Sequence, residues 1–353
     1  MSEKVLMKGN EAIAEAAIAA GCRHYFGYPI TPQTELAAYM AKRMPKIGGV
    51  FLQAESEIAA INMVYGVAGT GKRVMTSSSS PGISLKQEGI SYIAGADLPA
   101  LIVNVQRGGP GLGGIQPSQS DYFQATKGGG HGDYRLIVLA PASVQEMADL
   151  TIKGFDLSEK YRVPAMLLAD GTMGQMMEPV ALPENAGCST PQSWAVTGTE
   201  GKRKHNIINS LYLNPELLEK KNFERYERYA LIEQNECMYE SFMMEDAEYC
   251  VVAFGIAAHV SKNAVVAARK AGIKVGMIRP ITLWPFPKQV LAQAAEQVKS
   301  FLCVELSMGQ MIEDVKLAIS CRRDVTLCNR SGGMIPTPDQ VLQAIENMAK
   351  EEK

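Results

Sequence analysis

The chain has 353 residues, 46% hydrophobic and 20% charged, with a formal net charge of −2 at neutral pH. That length favours two cores over one, and the charge balance gives no electrostatic case for nucleic acid or an anionic membrane surface. No run of about 18 apolar residues occurs, so no membrane-spanning helix is expected. Seven cysteines with no C-x-x-C pair point to reduced thiols packed as small hydrophobes in a cytoplasm, not to zinc or iron–sulfur ligands.

Taken in chain order, MSEKVLMKGNEAIAEAAIAAG reads as an amphipathic helix rather than a signal peptide, helical by period over residues 10–20 and stopping at Gly21. HYFGY follows as a strand. In YPITPQTE, residues 28–35, Thr31 can cap a helix with Pro32 at its first position and Glu35 in its first turn. A helix is therefore predicted from Pro32 to about Met44. GVFLQ (49–53) reads as a buried strand and ESEIAAINMVYGVAG as a helix. RVMT, LIVNV (101–105), LIVLA (136–140) and PAMLLAD (164–170) are further strands, with a helix starting near Ser143. Strands alternating with helices imply right-handed βαβ units and a parallel sheet covered on both faces. From about Gly171 to Glu245 the rhythm is lost, and the segment reads as a long connection with helical pieces that wraps a neighbour. It resumes at YCVVAFG (249–255) and continues through IKVGMIRP, FLCVEL and VTLC to a final helix from Thr337. The expected divisions are 1–175, 176–245 and 246–353.

Three stretches carry candidate chemistry. GVAGTGKR (66–73) almost spells a phosphate-binding P-loop, but Arg73 stands where a hydroxyl should hold Mg²⁺. It also follows a helix and leads into a strand, the reverse of the required order, so the P-loop is rejected in favour of a glycine-ended helix. GPGLGG (109–114) matches G-x-G-x-x-G after the strand LIVNV, and a dinucleotide-dependent dehydrogenase is the competing reading. Its acidic partner is misplaced, because Asp133 precedes its strand instead of ending it. Arg107, where LIVNV runs out, could grip a carboxylate bidentately or be a solvated loop charge. In QAESEIAA (53–60), Glu55 suits the helix dipole, whereas Glu57 heads a helix almost without charges. A carboxylate so placed is expected to be desolvated and suited to proton exchange.

Together and in this order, YPITP, a glutamate heading a small-residue helix, TSSSSPGISLKQEG and an arginine before a glycine-rich loop resemble the α chain of 2-oxoacid:ferredoxin oxidoreductases. The resemblance runs over residues 5–345. SSSSPGISLKQEGISYIAGADLP with GGGHGDYRLIVLAP looks most like the branched-chain (2-oxoisovalerate) members. It implies an α/β fold of two doubly wound domains: an N-terminal one that receives the aminopyrimidine ring of thiamine diphosphate, and a smaller one like the C-terminal domain of transketolases. A separate β chain would bind the diphosphate through Mg²⁺. That division agrees with the lack of a G-D-G signature here, the nearest match being ADG at 169–171. Further γ and δ partner chains would carry [4Fe-4S] clusters, with ferredoxin as acceptor and coenzyme A as co-substrate.

The resemblance also assigns roles. Glu57 would hydrogen-bond the aminopyrimidine, and Thr31 would offer its hydroxyl to the 2-oxoacid. Arg107 would pair with the substrate carboxylate. Pro29 and Ser79 would line the cofactor pocket, the latter within a Ser77–Gly82 loop. His131 and His259 receive no role, and no metal ligand is assigned to this chain. A 2-oxoglutarate enzyme of the same family and a non-catalytic scaffold of the same fold remain as alternatives.

Overall fold

In the computed structural model, residues 4–183 and 192–351 are described. Cys188 lies outside them. The first part of the chain runs β1 (Lys4–Lys8), α1 (Gly9–Ala19), β2 (His24–Gly27), α2 (Thr34–Arg43), β3 (Val50–Gln53), α3 (Glu57–Gly69), β4 (Val74–Ser78) and α4 (Ser80–Gly95). It continues through β5 (Leu101–Gln106), α5 (Tyr122–Thr126), β6 (Ile137–Leu139), α6 (Val144–Tyr161), β7 (Ala165–Asp170), α7 (Gly171–Gln175) and β8 (Met177–Ala181). After an irregular stretch come α8 (Pro215–Asn235), β9 (Tyr239–Phe242), β10 (Tyr249–Ala253), α9 (Gly255–Lys270), β11 (Val275–Pro280), β12 (Thr282–Trp284) and α10 (Lys288–Gln297). The chain closes with β13 (Ser300–Glu305), α11 (Met311–Ala318), β14 (Asp324–Asn329) and α12 (Pro338–Glu351).

The apolar runs read as strands assemble into a seven-stranded sheet ordered β12-β6-β7-β5-β4-β2-β3, parallel except for β12. Strands β4, β5, β6 and β7 are buried throughout, as continuous apolar runs in parallel sheets should be. Helices α3 and α4 pack together beside β2, β4 and β5, while α6 packs on β5, β6 and β7 and against α1. From β2 the chain passes outward to β3, then returns to the other side of β2 for β4 and β5. The order therefore reverses between β2 and β4, and a crevice opens outside their carboxyl ends, where open α/β sheets take ligands. The second sheet, β14-β13-β10-β11-β9, is parallel apart from β9.

Several expectations are corrected. Residues 4–8 form a strand paired with β8 instead of extending the first helix, and α1 is buried along most of its length, not amphipathic. β3 is an exposed edge strand and not a buried one, because no described strand pairs with its outer side. The helix after YPITP begins at Thr34. Thr31 and Pro32 form a cis-bonded turn before it, so Thr31 does not cap it.

The segment after Gly171 is packed on this chain. The Arg225 side chain is buried and donates to Asp97 Oδ1 at 3.1 Å and to the Gly95 carbonyl at 3.0 Å, fixing α8 to the end of α4. The Tyr229 hydroxyl accepts the Arg135 N–H at 3.1 Å, and its ring meets Trp284 edge-on. Two strands also cross the expected boundary at 245. β9 joins the second sheet by pairing with β11, and β12 covers the outer edge of β6 in the first, sparing each an open ladder.

The two sheets are tied through the loop before α5. Gln119 exchanges hydrogen bonds with Leu306, and its amide donates to the Phe254 carbonyl at 2.8 Å. Arg279, its side chain 5% exposed, makes a bidentate pair with Glu146 and a further bond to Glu240. Because these contacts are buried, the second unit is a fixed support for the loops above the first sheet.

Candidate active site

Every candidate residue lies at the carboxyl end of the first sheet, but they arrive there by different routes. Glu57 is the first residue of α3, capped by the Ser56 hydroxyl, which accepts the Ala59 N–H at 3.1 Å. Its side chain is buried, yet its carboxylate accepts no hydrogen bond from any described residue. Glu57 is 6% exposed, although α3 itself keeps an exposed face through Ile58, Asn62 and Gly66.

Glu57 can reach inward because Gly82, in the first turn of α4, has no side chain. A Cβ there would stand 2.1 Å from Ser78 Oγ and 2.7 Å from Glu57 Oε1. The serine run is not a loop, as the sequence suggested. Ser77 and Ser78 end β4, Ser79 is the extended residue before α4, and Ser80 and Pro81 start the helix. The Ser78 and Ser79 hydroxyls are both buried without a partner. Glu57 Oε1 and the orphaned Ser78 hydroxyl flank the bare Gly82 and, with the orphaned Ser79 hydroxyl next along the chain, form a cradle of polar groups. Buried polar groups are rarely left so.

Arg107 is not a solvated charge. It is 8% exposed, its Nη1 donates to the Thr31 carbonyl at 3.0 Å and its Nη2 to the Leu112 carbonyl at 3.1 Å, while its Nε has no partner. Thus Arg107 and Thr31 are brought together, though through the threonine backbone. The Thr31 side chain stays exposed, as does Pro29 at the end of β2. Ser80 fixes the Arg107 backbone: its Oγ accepts the Arg107 N–H at 3.0 Å and donates to Asp121 Oδ2 at 2.6 Å. Asn104 also donates to Asp121, at 2.8 Å. Burial raises the Asp121 carboxyl above its usual range, and these two donors oppose the shift. This Ser80–Asn104–Asp121 network was missed in the sequence, because nothing in the spacing of three small polar residues tells that they converge.

The competing motifs do not survive the geometry. GPGLGG opens no helix; the loop turns back so that Arg107 bridges Pro117, and α5 begins only at Tyr122. Residues 66–73 run from the end of α3 into β4, and Arg73 is buried in ion pairs with Asp156 at 2.7 Å and Glu159 at 2.9 Å. His131 meets Ser91 and Tyr92, and His259 is exposed on α9.

Residues 15–236 match the family described as "Pyruvate flavodoxin/ferredoxin oxidoreductase, thiamine diP-bdg", and residues 247–341 match "Pyruvate:ferredoxin oxidoreductase core domain II". The chain belongs to the 2-oxoacid:ferredoxin oxidoreductases. Among relatives of this oxidoreductase subunit is the ketoisovalerate oxidoreductase subunit VorB of Methanothermobacter marburgensis. It is 54% identical, over 98% of this chain and 98% of that one. The 2-oxoglutarate synthase subunit KorA of the same organism is 37% identical, over 99% of this chain and all of that one. A solved structure of a 2-oxoglutarate:ferredoxin oxidoreductase from Magnetococcus marinus superposes with a TM-score of 0.85 at 27% identity. It covers 98% of this chain, which spans 65% of that longer one. The resemblance to branched-chain members is carried by the VorB relative, and the α/β architecture agrees with both family matches. The unpartnered polar atoms of Glu57, Ser78 and Ser79 suit a ligand rich in hydrogen-bonding groups.

Proposed function

We propose that this chain is the α subunit of a thiamine-diphosphate-dependent oxidoreductase that decarboxylates a branched-chain 2-oxoacid, 2-oxoisovalerate by preference. The acyl group passes to coenzyme A and the electrons to ferredoxin. The observation that carries the reading is Glu57, a residue 6% exposed whose carboxylate has no hydrogen-bond partner among the described residues and lies against the bare Gly82. When bound, thiamine diphosphate supplies the carbanion equivalent that attacks the oxo carbon and accepts the electrons left when CO₂ departs.

This chain's residues have the remaining work. Glu57 holds the aminopyrimidine and exchanges a proton with its ring nitrogen. Ser79 and Pro29 border the ring, and the dry setting makes each such contact stronger than it would be in water. Thr31 offers its exposed hydroxyl to the 2-oxoacid. The Arg107 guanidinium, with Nε unpartnered, receives the substrate carboxylate until it leaves as CO₂. Residues 1–175 act as the pyrimidine-binding unit and 246–353 as the transketolase C-terminal-like support, with the 176–245 connection lending β8 to the first and β9 to the second and β12 returning to the first sheet.

Partner chains complete the enzyme. A β chain binds the diphosphate and Mg²⁺, and γ and δ chains provide [4Fe-4S] clusters and docking for ferredoxin. The open α3 face and the exposed edge strand β3 beside Glu57 support such a cover. The described cysteines are all unpaired, which suits a reducing cytoplasm. The test is anaerobic purification with the accompanying chains, followed by viologen reduction with 2-oxoisovalerate, coenzyme A and thiamine diphosphate. Coenzyme A-dependent reduction, fastest with that 2-oxoacid, is expected. A preference for 2-oxoglutarate would overturn the substrate assignment. No reduction with any 2-oxoacid, with clusters intact, would overturn the reaction.

A further inference from the structure

Lys86, on α4, has no exposed surface at all. Its Nζ donates to Thr76 Oγ1 at 2.6 Å and to the Ser77 carbonyl at 3.0 Å, both on β4. Neither acceptor carries charge. A buried ammonium satisfied only by neutral oxygens is costly, and lysines are seldom fully buried unless paired. No direct ion pair with Glu57 forms, but Lys86 lies one helical turn beyond Gly82, and Glu57 Oε1 sits over Gly82. The two groups thus share one side of α4 within the dry interior behind the cradle. Burial pushes the Lys86 ammonium down to about 7, and the Glu57 carboxylate is the charge that pulls the other way.

The other neighbours do not compete for this role. On β2, Tyr25 contacts Ser77 Oγ at 2.6 Å, and its burial keeps the phenol neutral. Gln33, at the start of α2, accepts from the same Ser77 hydroxyl, and Gln87 beside Lys86 is uncharged.

We propose that Lys86 is a positioning residue whose buried ammonium is the internal counter-charge behind the Glu57 carboxylate. The inference rests on the proposed role of Glu57 and adds a partner on the protein side, opposite the cofactor.

The test uses the complex as purified, with Lys86→Met, Glu57→Gln and the double variant. Three quantities are measured: kcat against pH, thiamine diphosphate affinity, and the thermal midpoint at pH 7 without cofactor. For Lys86→Met, the acid limb of kcat is expected to move about one unit to higher pH, a tenfold change in proton affinity. Cofactor affinity should stay within about threefold. The midpoint shifts of the two single variants should fail to add by about 2 °C or more, the mark of direct coupling. A pH profile that overlays the wild type, or midpoint shifts that add, overturns the inference. Should Lys86→Met assemble poorly, Lys86→Gln, which keeps a polar contact with Thr76, must show the same displaced limb. The two readings fail separately. Full turnover in Glu57→Gln sinks the cofactor role of Glu57, whereas an inactive Glu57→Gln with an unchanged Lys86→Met profile sinks only the role of Lys86.

Discussion

Arg107 and Asp170 show how much a side chain's worth depends on what the fold has already given it. The Arg107 guanidinium already has two carbonyl partners, so its plane is fixed before any substrate arrives. A lysine at that position would keep the charge and lose the fork. Arg107→Lys is therefore expected to lower kcat/KM for the 2-oxoacid by roughly 10²-fold, as loss of other preorganised charge-stabilising donors does. The KM for coenzyme A should stay unchanged, and steady-state kinetics in each substrate would check both. Asp170 ends β7 and caps α7, accepting the N–H groups of Thr172 at 2.9 Å and Met173 at 3.1 Å. Burial nevertheless raises its carboxyl from 3.8 to about 6. A carboxyl with a folded pKa above its unfolded one binds its proton more tightly in the folded state. Its cost to stability is absent below about pH 4, grows through the window up to pH 6 and is complete above it. Asp170→Asn can still accept the Thr172 and Met173 N–H groups but turns its amide NH₂ towards the Ile256 N–H, so it should be more stable than the wild type at pH 7.5 by no more than about 1 kcal/mol. The gap should narrow towards pH 5, as thermal midpoints across that range would show. In the sequence Glu57 was legible because it heads an uncharged helix, and Arg107 because it ends an apolar strand. Lys86 and Asp170 were not, because the burial of a single charge is decided by elements far away in the chain.

The elements themselves were legible wherever period and punctuation agreed. Ser56 and Ser143 cap α3 and α6 where the sequence placed the starts of those helices, with hydroxyls accepting from Ala59 and Glu146. β1 was missed because KVLMK continues without a break signal into α1, and only pairing with β8 makes it a strand. The edge position of β3 was missed for a related reason: an apolar run reports that it will be covered, but not by which chain. The start of α4 was read as a loop because serine, proline and glycine are turn formers on composition, whereas here Pro81 takes the helix's first turn and Gly82 yields room. Since that room is filled by Glu57 and Ser78, Gly82→Ala must displace one of them. A cost of about 1–3 kcal/mol is expected, read as a lower unfolding midpoint, together with weaker binding of thiamine diphosphate. An unchanged cofactor affinity would mean that Glu57 does not need its inward rotamer, and the cradle would lose its meaning.

At the scale of the whole molecule, the distribution of exposed apolar surface is uneven and favours a cover over α3. Helix α3 has no charged residue after Glu57, yet Ile58 is 51% exposed, and so is Leu85 on the adjacent α4. The edge strand β3 adds exposed Val50 and Leu52 on the same part of the sheet, next to the switch point. Scattered exposed leucines are ordinary. A charge-free helix face beside an edge strand and a carboxylate without a partner among the described residues is a combination that favours an interface with apolar contacts at its centre. Ile58→Glu tests this without touching the core. Because the side chain is half exposed in the chain alone, the substitution should change the isolated subunit's unfolding midpoint by no more than about 0.5 kcal/mol. Within a complex the new carboxylate would be buried without a partner, a change that costs several kcal/mol. The variant should therefore fold normally by circular dichroism but lose co-purifying chains on size exclusion and, with them, viologen reduction. Full retention of the accompanying chains would place their contact elsewhere, and the site at Glu57 would then have to close by movement within this subunit.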